Sequence, residues 1–130
     1  DRFNHAGRVR ARVEQALATS VKAVKVHEFD LDVIEEARRP VGAGIPFVAD
    51  CNGAHALTDV RRDSARWRAL NLLWLEDPFW PPEPVLDMPA LPGVPIGLGA
   101  DLGSAEQLAL YAKAPAVAVA QPDVAMIGGV

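Results

Sequence analysis

Acidic residues recur at the ends of short apolar runs, at nearly constant spacing along this chain. Asp50, Glu76, Asp101 and Asp123 each end such a run, and successive members lie 26, 25 and 22 residues apart. Lys25 stands a further 25 residues before Asp50. Carboxylates about 4 Å apart repel by roughly 4 kcal/mol at a dielectric constant of about 20, so a shared pocket would need a cation. Oxygen ligands favour Mg²⁺, which can polarise a bound carboxylate, and we therefore predict a divalent-cation site.

A repeat of about 25 residues is the length of one strand plus one crossover helix. Strict alternation of helices with continuously apolar strands is typical of a parallel sheet covered by helices. The predicted strands are 21–27, 45–49, 71–75, 92–98 and 117–121. The first predicted helix is 8–19, the second is capped by Asp30 or Asp32, and the third starts at Thr58 or Asp59. The fourth is capped by Ser104, with Gln107 three residues on. A proline-rich loop follows the third strand.

These elements fit two parallel architectures. Charged ends of several strands share one pocket in a β/α barrel, where catalytic residues sit at the C-terminal ends of strands. An open doubly wound sheet is the alternative, but its G-x-G-x-x-G phosphate loop is absent from the sequence. We therefore predict an α/β fold, a partial (β/α) TIM-type barrel of about five parallel strands alternating with helices.

Length and composition limit the function classes. The chain has 130 residues and a net charge of −4, so nothing in its charge favours nucleic acid or anionic lipid. Cys51 is the only cysteine, which excludes an internal disulfide, and no apolar run reaches membrane-spanning length. We expect a cytoplasmic protein that binds neither nucleic acid nor membrane.

Four segments carry a family resemblance in the right order and spacing. Val48–Ala54 resembles "V-D-x-N-G", Leu73–Pro78 resembles "W-[LI]-E-[ED]-P", Pro95–Asp101 resembles "P-I-x-x-G-E-[ND]", and Gln121–Gly129 resembles "Q-P-D-x-x-x-x-G-G". The chain is thereby similar, from about Ser20 onward, to the mandelate racemase and muconate lactonizing enzyme branch of the enolase superfamily.

This resemblance implies a modified β/α barrel capped by a separate domain. It also implies Mg²⁺-dependent removal of a proton next to the carboxylate of a hydroxy or sugar acid, leading to racemization, dehydration or cycloisomerization. A full barrel typically takes about 250 residues. We therefore expect residues 1–130 to form a single partial barrel domain, without the capping domain and the final strands, and to assemble with further copies.

The resemblance also implies roles for individual residues. Asp50 and Glu76 match the first two metal ligands, and Asn52 matches a polar partner beside the metal. Asp123 matches the carboxylate that orients a catalytic histidine on the following strand, and Lys25 matches the first lysine of a "K-x-K" strand.

Two positions depart from the family pattern. His27 replaces the second lysine of "K-x-K"; period-two alternation puts it on the same face as Lys25, and imidazole can accept a proton near neutral pH. Ala100 replaces the third metal-binding glutamate, which leaves Asp101 as a weaker candidate ligand. Ala100 and His27 support a competing hypothesis, a barrel relative that lacks metal and catalysis.

Several other chemistry-bearing residues receive structural interpretations. Cys51 is expected to be buried, and His5 and His55 to lie on the surface. The tryptophans, Trp67, Trp74 and Trp80, are expected mainly to pack, with Trp80 in a loop at the mouth of the barrel.

Overall fold

The structure, a computed structural model, describes residues 2–129, with side chains from residue 5 onward. Six helices and five strands make up this part of the chain, and they alternate except where two helices follow each other between the second and third strands. The helices are α1 (Arg2–Leu17), α2 (Leu31–Arg38), α3 (Leu57–Arg62), α4 (Ser64–Ala69), α5 (Pro84–Asp87) and α6 (Ala105–Tyr111). The strands are β1 (Val24–His27), β2 (Phe47–Asp50), β3 (Trp74–Glu76), β4 (Ile96–Leu98) and β5 (Val117–Ala120).

The five strands form one parallel sheet in the order β1-β2-β3-β4-β5. Each strand therefore pairs with the next one along the chain, which is the arrangement of a partial β/α barrel. The register aligns His27 with Asp50, Asp50 with Glu76, and Glu76 with Gly97. The predicted fold class is confirmed, and the C-terminal ends of the first four strands meet at one edge of the sheet.

The two faces of the sheet differ in character. In β1, Val24 and Val26 are buried in the core between sheet and helices, whereas Lys25 and His27 lie on the exposed face. Alternation along a strand explains this division, because successive side chains point to opposite faces. The helix-side core of the other strands consists of Phe47, Ala49, Leu75, Ile96 and Leu98.

Local sequence signals explain the starts of two helices. The carboxylate of Asp30 accepts a hydrogen bond from Asp32 N (3.1 Å), which makes Asp30 the N-cap of α2. Ser104 caps α6 by accepting from Gln107 N (3.2 Å), while the Gln107 side chain accepts from Gly103 N (2.9 Å). The cap predicted at Ser104 is confirmed.

Other details differ from the prediction. The third helix is split at Asp63 into α3 and α4, and α3 begins after Ala56 without a side-chain cap. The predicted proline loop contains the short helix α5, with Pro84 in its first turn, where a missing N–H costs no hydrogen bond. Among residues 2–129, no helix is both long and apolar enough to cross a membrane.

Candidate functional site

Asp50 and Glu76 lie side by side at the C-terminal edge of the sheet. They are register partners at the ends of β2 and β3, and adjacent strands are about 4.8 Å apart. Each directly follows an apolar strand residue that is buried in the core. The structure therefore brings together the two residues that the sequence predicts as metal ligands.

Lys25 joins these two carboxylates. Its Nζ lies 2.7 Å from Glu76 Oε1 and 2.9 Å from Asp50 Oδ2. Desolvation lowers the pKa of Lys25, but the hydrogen bonds to Glu76 and Asp50 outweigh it and leave the pKa above its ordinary value. The ammonium therefore neutralises one of the two negative charges.

Glu76 is the buried charged residue of the site, with 5% of its surface exposed. Trp74 Nε1 donates to Glu76 Oε2 at 3.0 Å. Burial alone would raise the pKa of Glu76, but the hydrogen bonds from Lys25 and Trp74, together with the polar side chain of Gln121, lower it below its ordinary value. The carboxylate is therefore held in its charged form.

Asp77 supplies a third carboxylate. One ligand oxygen each from Asp50, Glu76 and Asp77 lie within 4.8 Å of one another. Desolvation, together with the charges of Glu76, Asp50 and Asp101, raises the pKa of Asp77 to about 6. Three clustered carboxylates form the hard oxygen donor set that suits Mg²⁺, so the residues present fit this ion.

Asp101 lies apart from this group of three. It is exposed in the turn after β4 and lines a small cavity with Asp77 and Trp80. Ala100, next to it, offers no ligand atom. In the part of the chain that the structure describes, the third carboxylate oxygen of the cluster thus belongs to Asp77, whereas the sequence analysis named Asp101 as the weaker third candidate.

His27 is directed toward the same edge of the sheet. It is exposed at the end of β1, in register with Asp50. It lines a cavity of about 250 Å³ together with Phe29, Asp50 and Asn52. A molecule in this cavity would lie beside both the imidazole and a carboxylate of the candidate metal site.

Asn52 and Asp123 occupy different positions relative to the site. The backbone N–H of Asn52 donates to Asp50 Oδ1 (3.1 Å), and this residue has a positive φ of 46°. Asp123 is exposed after β5, and its Oδ1 accepts from Ala125 N (2.8 Å) in a tight turn. Asn52 therefore supports a candidate ligand directly, whereas Asp123 stabilises its own turn.

Three contributors to the site were not predicted from the sequence. Trp74 was expected mainly to pack, yet its spacing of two residues from Glu76 in a strand already placed both on one face. Gln121 directly follows β5, in the segment that resembles "Q-P-D-x-x-x-x-G-G", and its side chain lowers the pKa of Glu76. Asp77 has a positive φ of 39°, and the simple period-two pattern gives no signal for such a turn.

Three further residues, Cys51, His55 and His5, can be compared with their predicted positions. Cys51 is buried, as expected, and desolvation raises the pKa of its thiol to about 12. His55 is half-buried and does not lie freely on the surface: among the described residues its buried Nε2 has no hydrogen-bond partner, and its ring packs edge-on against Trp67 with 5.5 Å between the ring centroids. His5 is partly buried and pairs with Glu28 at 3.1 Å.

The sequence of this chain matches a protein-family model. Residues 8–130 match the family described as "Enolase C-terminal domain-like". Among curated proteins, no sequence matches the chain significantly.

Solved structures of similar fold were also found. A member of the enolase superfamily from Polaromonas sp. JS666 matches 95% of this chain with a TM-score of 0.80 and 24% identity, over 35% of its own length. A mandelate racemase/muconate lactonizing enzyme from a marine actinobacterium matches 93% with a TM-score of 0.80 and 21% identity, over 37% of its length.

A third similar structure contains a metal. The L-talarate/galactarate dehydratase from Salmonella typhimurium LT2, liganded with Mg and L-lyxarohydroxamate, matches 96% of this chain with a TM-score of 0.80 and 20% identity, over 34% of its length. The chain thus spans about a third of the length of these structures.

Proposed function

Because this chain belongs to the enolase C-terminal domain-like family, we propose that it forms part of a site that removes a proton next to a carboxylate. The substrate class is a small hydroxy or sugar acid, and the outcome is racemization or dehydration. We propose a cytoplasmic setting, because a single cysteine leaves no internal disulfide.

One observation carries the proposal. Oxygens of Asp50, Glu76 and Asp77 cluster within 4.8 Å at the end of the sheet to which His27 also belongs. These three carboxylates would hold a Mg²⁺ ion, which, when bound, supplies a positive charge that polarises the substrate carboxylate. The similar dehydratase structure liganded with Mg supports this choice of ion.

The other residues of the site have separate proposed roles. His27, exposed beside the cavity next to Asp50, would accept the proton at an imidazole nitrogen. The ammonium of Lys25, at the end of a flexible side chain beside Asp50 and Glu76, would supply a further positive charge near the negative charge that develops on the substrate. Asn52 holds Asp50 through its backbone N–H, and Trp74 holds Glu76, so both carboxylates keep fixed orientations.

Calorimetric titration with Mg²⁺ tests the metal site. We expect Asp50→Asn and Glu76→Gln each to weaken Mg²⁺ binding by tenfold or more, because each removes a charged oxygen ligand. Asp87→Asn is the matched control, since Asp87 is exposed in α5 and its replacement changes the net charge equally. Absence of binding at millimolar Mg²⁺ would contradict the proposed enzyme.

Proton exchange tests the chemistry. A panel of hydroxy and sugar acids is incubated with the protein in D₂O, and loss of the α-proton signal is followed by NMR. We expect His27→Asn to slow exchange by about 10²- to 10⁴-fold, the range for loss of a general base. Exchange that is unaffected by this substitution would show that His27 is not the base.

A second candidate function is a non-catalytic relative that does not bind metal. The bridge from Lys25 to Asp50 and Glu76 favours it, because an ammonium already compensates the carboxylates, and so does Ala100 in place of a glutamate. Under this hypothesis the unmodified chain fails to bind Mg²⁺, and Ala100→Glu restores binding by adding a carboxylate. Mg²⁺ binding by the unmodified chain would contradict this second candidate.

A further inference from the structure

The ammonium of Lys25 lies between the two carboxylates of the proposed metal site. It contacts one oxygen of each, Asp50 Oδ2 at 2.9 Å and Glu76 Oε1 at 2.7 Å. The other oxygens have other donors, because Asp50 Oδ1 accepts from Asn52 N and Glu76 Oε2 accepts from Trp74 Nε1. A metal ion that binds through Asp50 Oδ2 and Glu76 Oε1 would therefore take the oxygens that Lys25 contacts.

The three side chains differ in their freedom to move. The side chains of Asp50 and Glu76 are 15% and 7% exposed, whereas the side chain of Lys25 is 49% exposed. A lysine has a flexible four-carbon stem and a strongly hydrated ammonium, so it can leave for solvent more easily than a buried carboxylate can rearrange. A metal ion and the ammonium on the same oxygens would also repel each other.

We propose that Lys25 is a built-in competitor of the divalent cation: its ammonium occupies the space between Asp50 and Glu76, and a cation binds by displacing it. This inference rests on the proposed metal site and adds a determinant of its affinity. Lys25 then keeps the two carboxylates in place without metal and sets the concentration of metal at which the site fills.

Calorimetric titration with Mg²⁺ of Lys25→Met measures the competition. We expect the variant to bind Mg²⁺ about tenfold more tightly, the equivalent of two partly exposed ion pairs that no longer need to be broken. Lys25→Arg keeps the charge, so its affinity is expected to stay at or below that of the unmodified chain. Lys22→Met, at an exposed position three residues earlier, is the matched control and is expected to change nothing.

Chemical labelling provides a second measurement that needs no variant. The unmodified chain is treated with an amine-acylating reagent with and without Mg²⁺, and the modified lysines are quantified by mass spectrometry. Displacement predicts that Mg²⁺ increases labelling at Lys25 and leaves Lys22 unchanged. Reduced or unchanged labelling at Lys25 in the metal-bound chain would overturn the inference.

The outcomes separate this inference from the proposed function. Equal or weaker Mg²⁺ binding by folded Lys25→Met, with binding by the unmodified chain intact, would overturn competition and leave the metal site standing. Absence of binding by every variant would overturn the metal site and the competition together. Mg²⁺ binding that is tighter in Lys25→Met than in the other variants supports the inference, even where the unmodified chain binds Mg²⁺ weakly.

Discussion

The carboxylate of Glu76 is almost fully buried, and the donors around it determine its charge state. Lys25 and Trp74 hydrogen-bond to it, and together with the side chain of Gln121 they keep its pKa low against the effect of burial. A buried carboxylate that loses one partner keeps its desolvation penalty without the compensating hydrogen bond. The stability of the sheet is therefore coupled to this site.

Replacing Trp74 with phenylalanine tests that coupling. The substitution keeps an aromatic ring but removes the Nε1–H that donates to Glu76 Oε2 at 3.0 Å. We expect the free energy of unfolding to fall by about 1–3 kcal/mol, the cost of an unsatisfied buried polar group. Urea denaturation measures it. Trp80→Phe is the matched control, because Trp80 is 57% exposed, and an equal loss in both variants would contradict the role of the hydrogen bond.

His55 makes stability depend on pH. Desolvation lowers its pKa below the ordinary value of 6.5, although the charges of Asp59 and Asp63 act in the opposite direction. The unfolded chain therefore binds a proton at His55 before the folded chain does. This contribution to the free energy of unfolding is present above pH 6.5 and is lost as the pH falls through the lower pKa of the folded chain. The loss is at most about 1.4 kcal/mol per pH unit for one proton.

Urea denaturation at pH 7.5 and pH 5.5 measures this effect. The unmodified chain is expected to lose more stability between these values than His55→Phe, which keeps a ring against Trp67 but cannot take up a proton. The comparison is needed because Asp77, with a pKa raised to about 6, contributes in the opposite direction in both proteins. Identical pH dependence in the two proteins would rule out His55.

Strand β4 makes room for the site by carrying a glycine. A Cβ atom at Gly97 would lie 2.5 Å from Trp74 Cδ1 and 2.7 Å from Gln121 Oε1. These are the two side chains that flank Glu76, so the gap left by Gly97 allows both to reach the carboxylate. The packing of β4 and the arrangement of side chains around Glu76 therefore both depend on the absence of a side chain at Gly97.

Substitution of Gly97 by alanine is expected to destabilise the fold by about 1–3 kcal/mol, because the new methyl group displaces packed side chains. Thermal unfolding followed by circular dichroism measures this change. Gly7→Ala is the control: Gly7 lies within α1, and none of the side chains described from residue 5 onward comes within 4 Å of its Cβ position, so alanine there should stabilise by about 1 kcal/mol or less. Destabilisation by both substitutions would show that the contact at Trp74 is not the cause.

Much of this arrangement follows from local patterns that the sequence contains. Period-two alternation places Lys25 and His27 on one face, and the charged ends of apolar runs bring Asp50 beside Glu76. The contribution of Asp77 depends on a left-handed backbone turn, which no pattern in the sequence indicates.

The burial of the His55 ring depends on its packing against Trp67, and local sequence does not encode such a long-range contact. The break between α3 and α4 at Asp63 is not marked by proline or glycine, so it too could not be predicted.

The sheet as a whole has two strands with a single neighbour. Within residues 2–129, β1 pairs only with β2, and β5 pairs only with β4. A closed barrel of this kind has eight strands, and the chain spans about a third of the structures it resembles. Unpaired edges offer free N–H and C=O groups to other chains. We therefore keep the prediction that these 130 residues assemble with further copies when studied alone.

Sedimentation velocity over a hundredfold range of concentration tests this prediction. We expect the sedimentation coefficient of the unmodified chain to rise with concentration, as the exposed edges pair. Ala118→Lys places a charge on an exposed position of β5 and should shift the distribution toward monomer, because lysine at an edge opposes pairing. Ala112→Lys adds the same charge at the exposed C-terminal end of α6 and should have no such effect. A compact monomer that melts cooperatively at all concentrations would contradict edge pairing, and the five strands would then form a stable unit without closing a barrel.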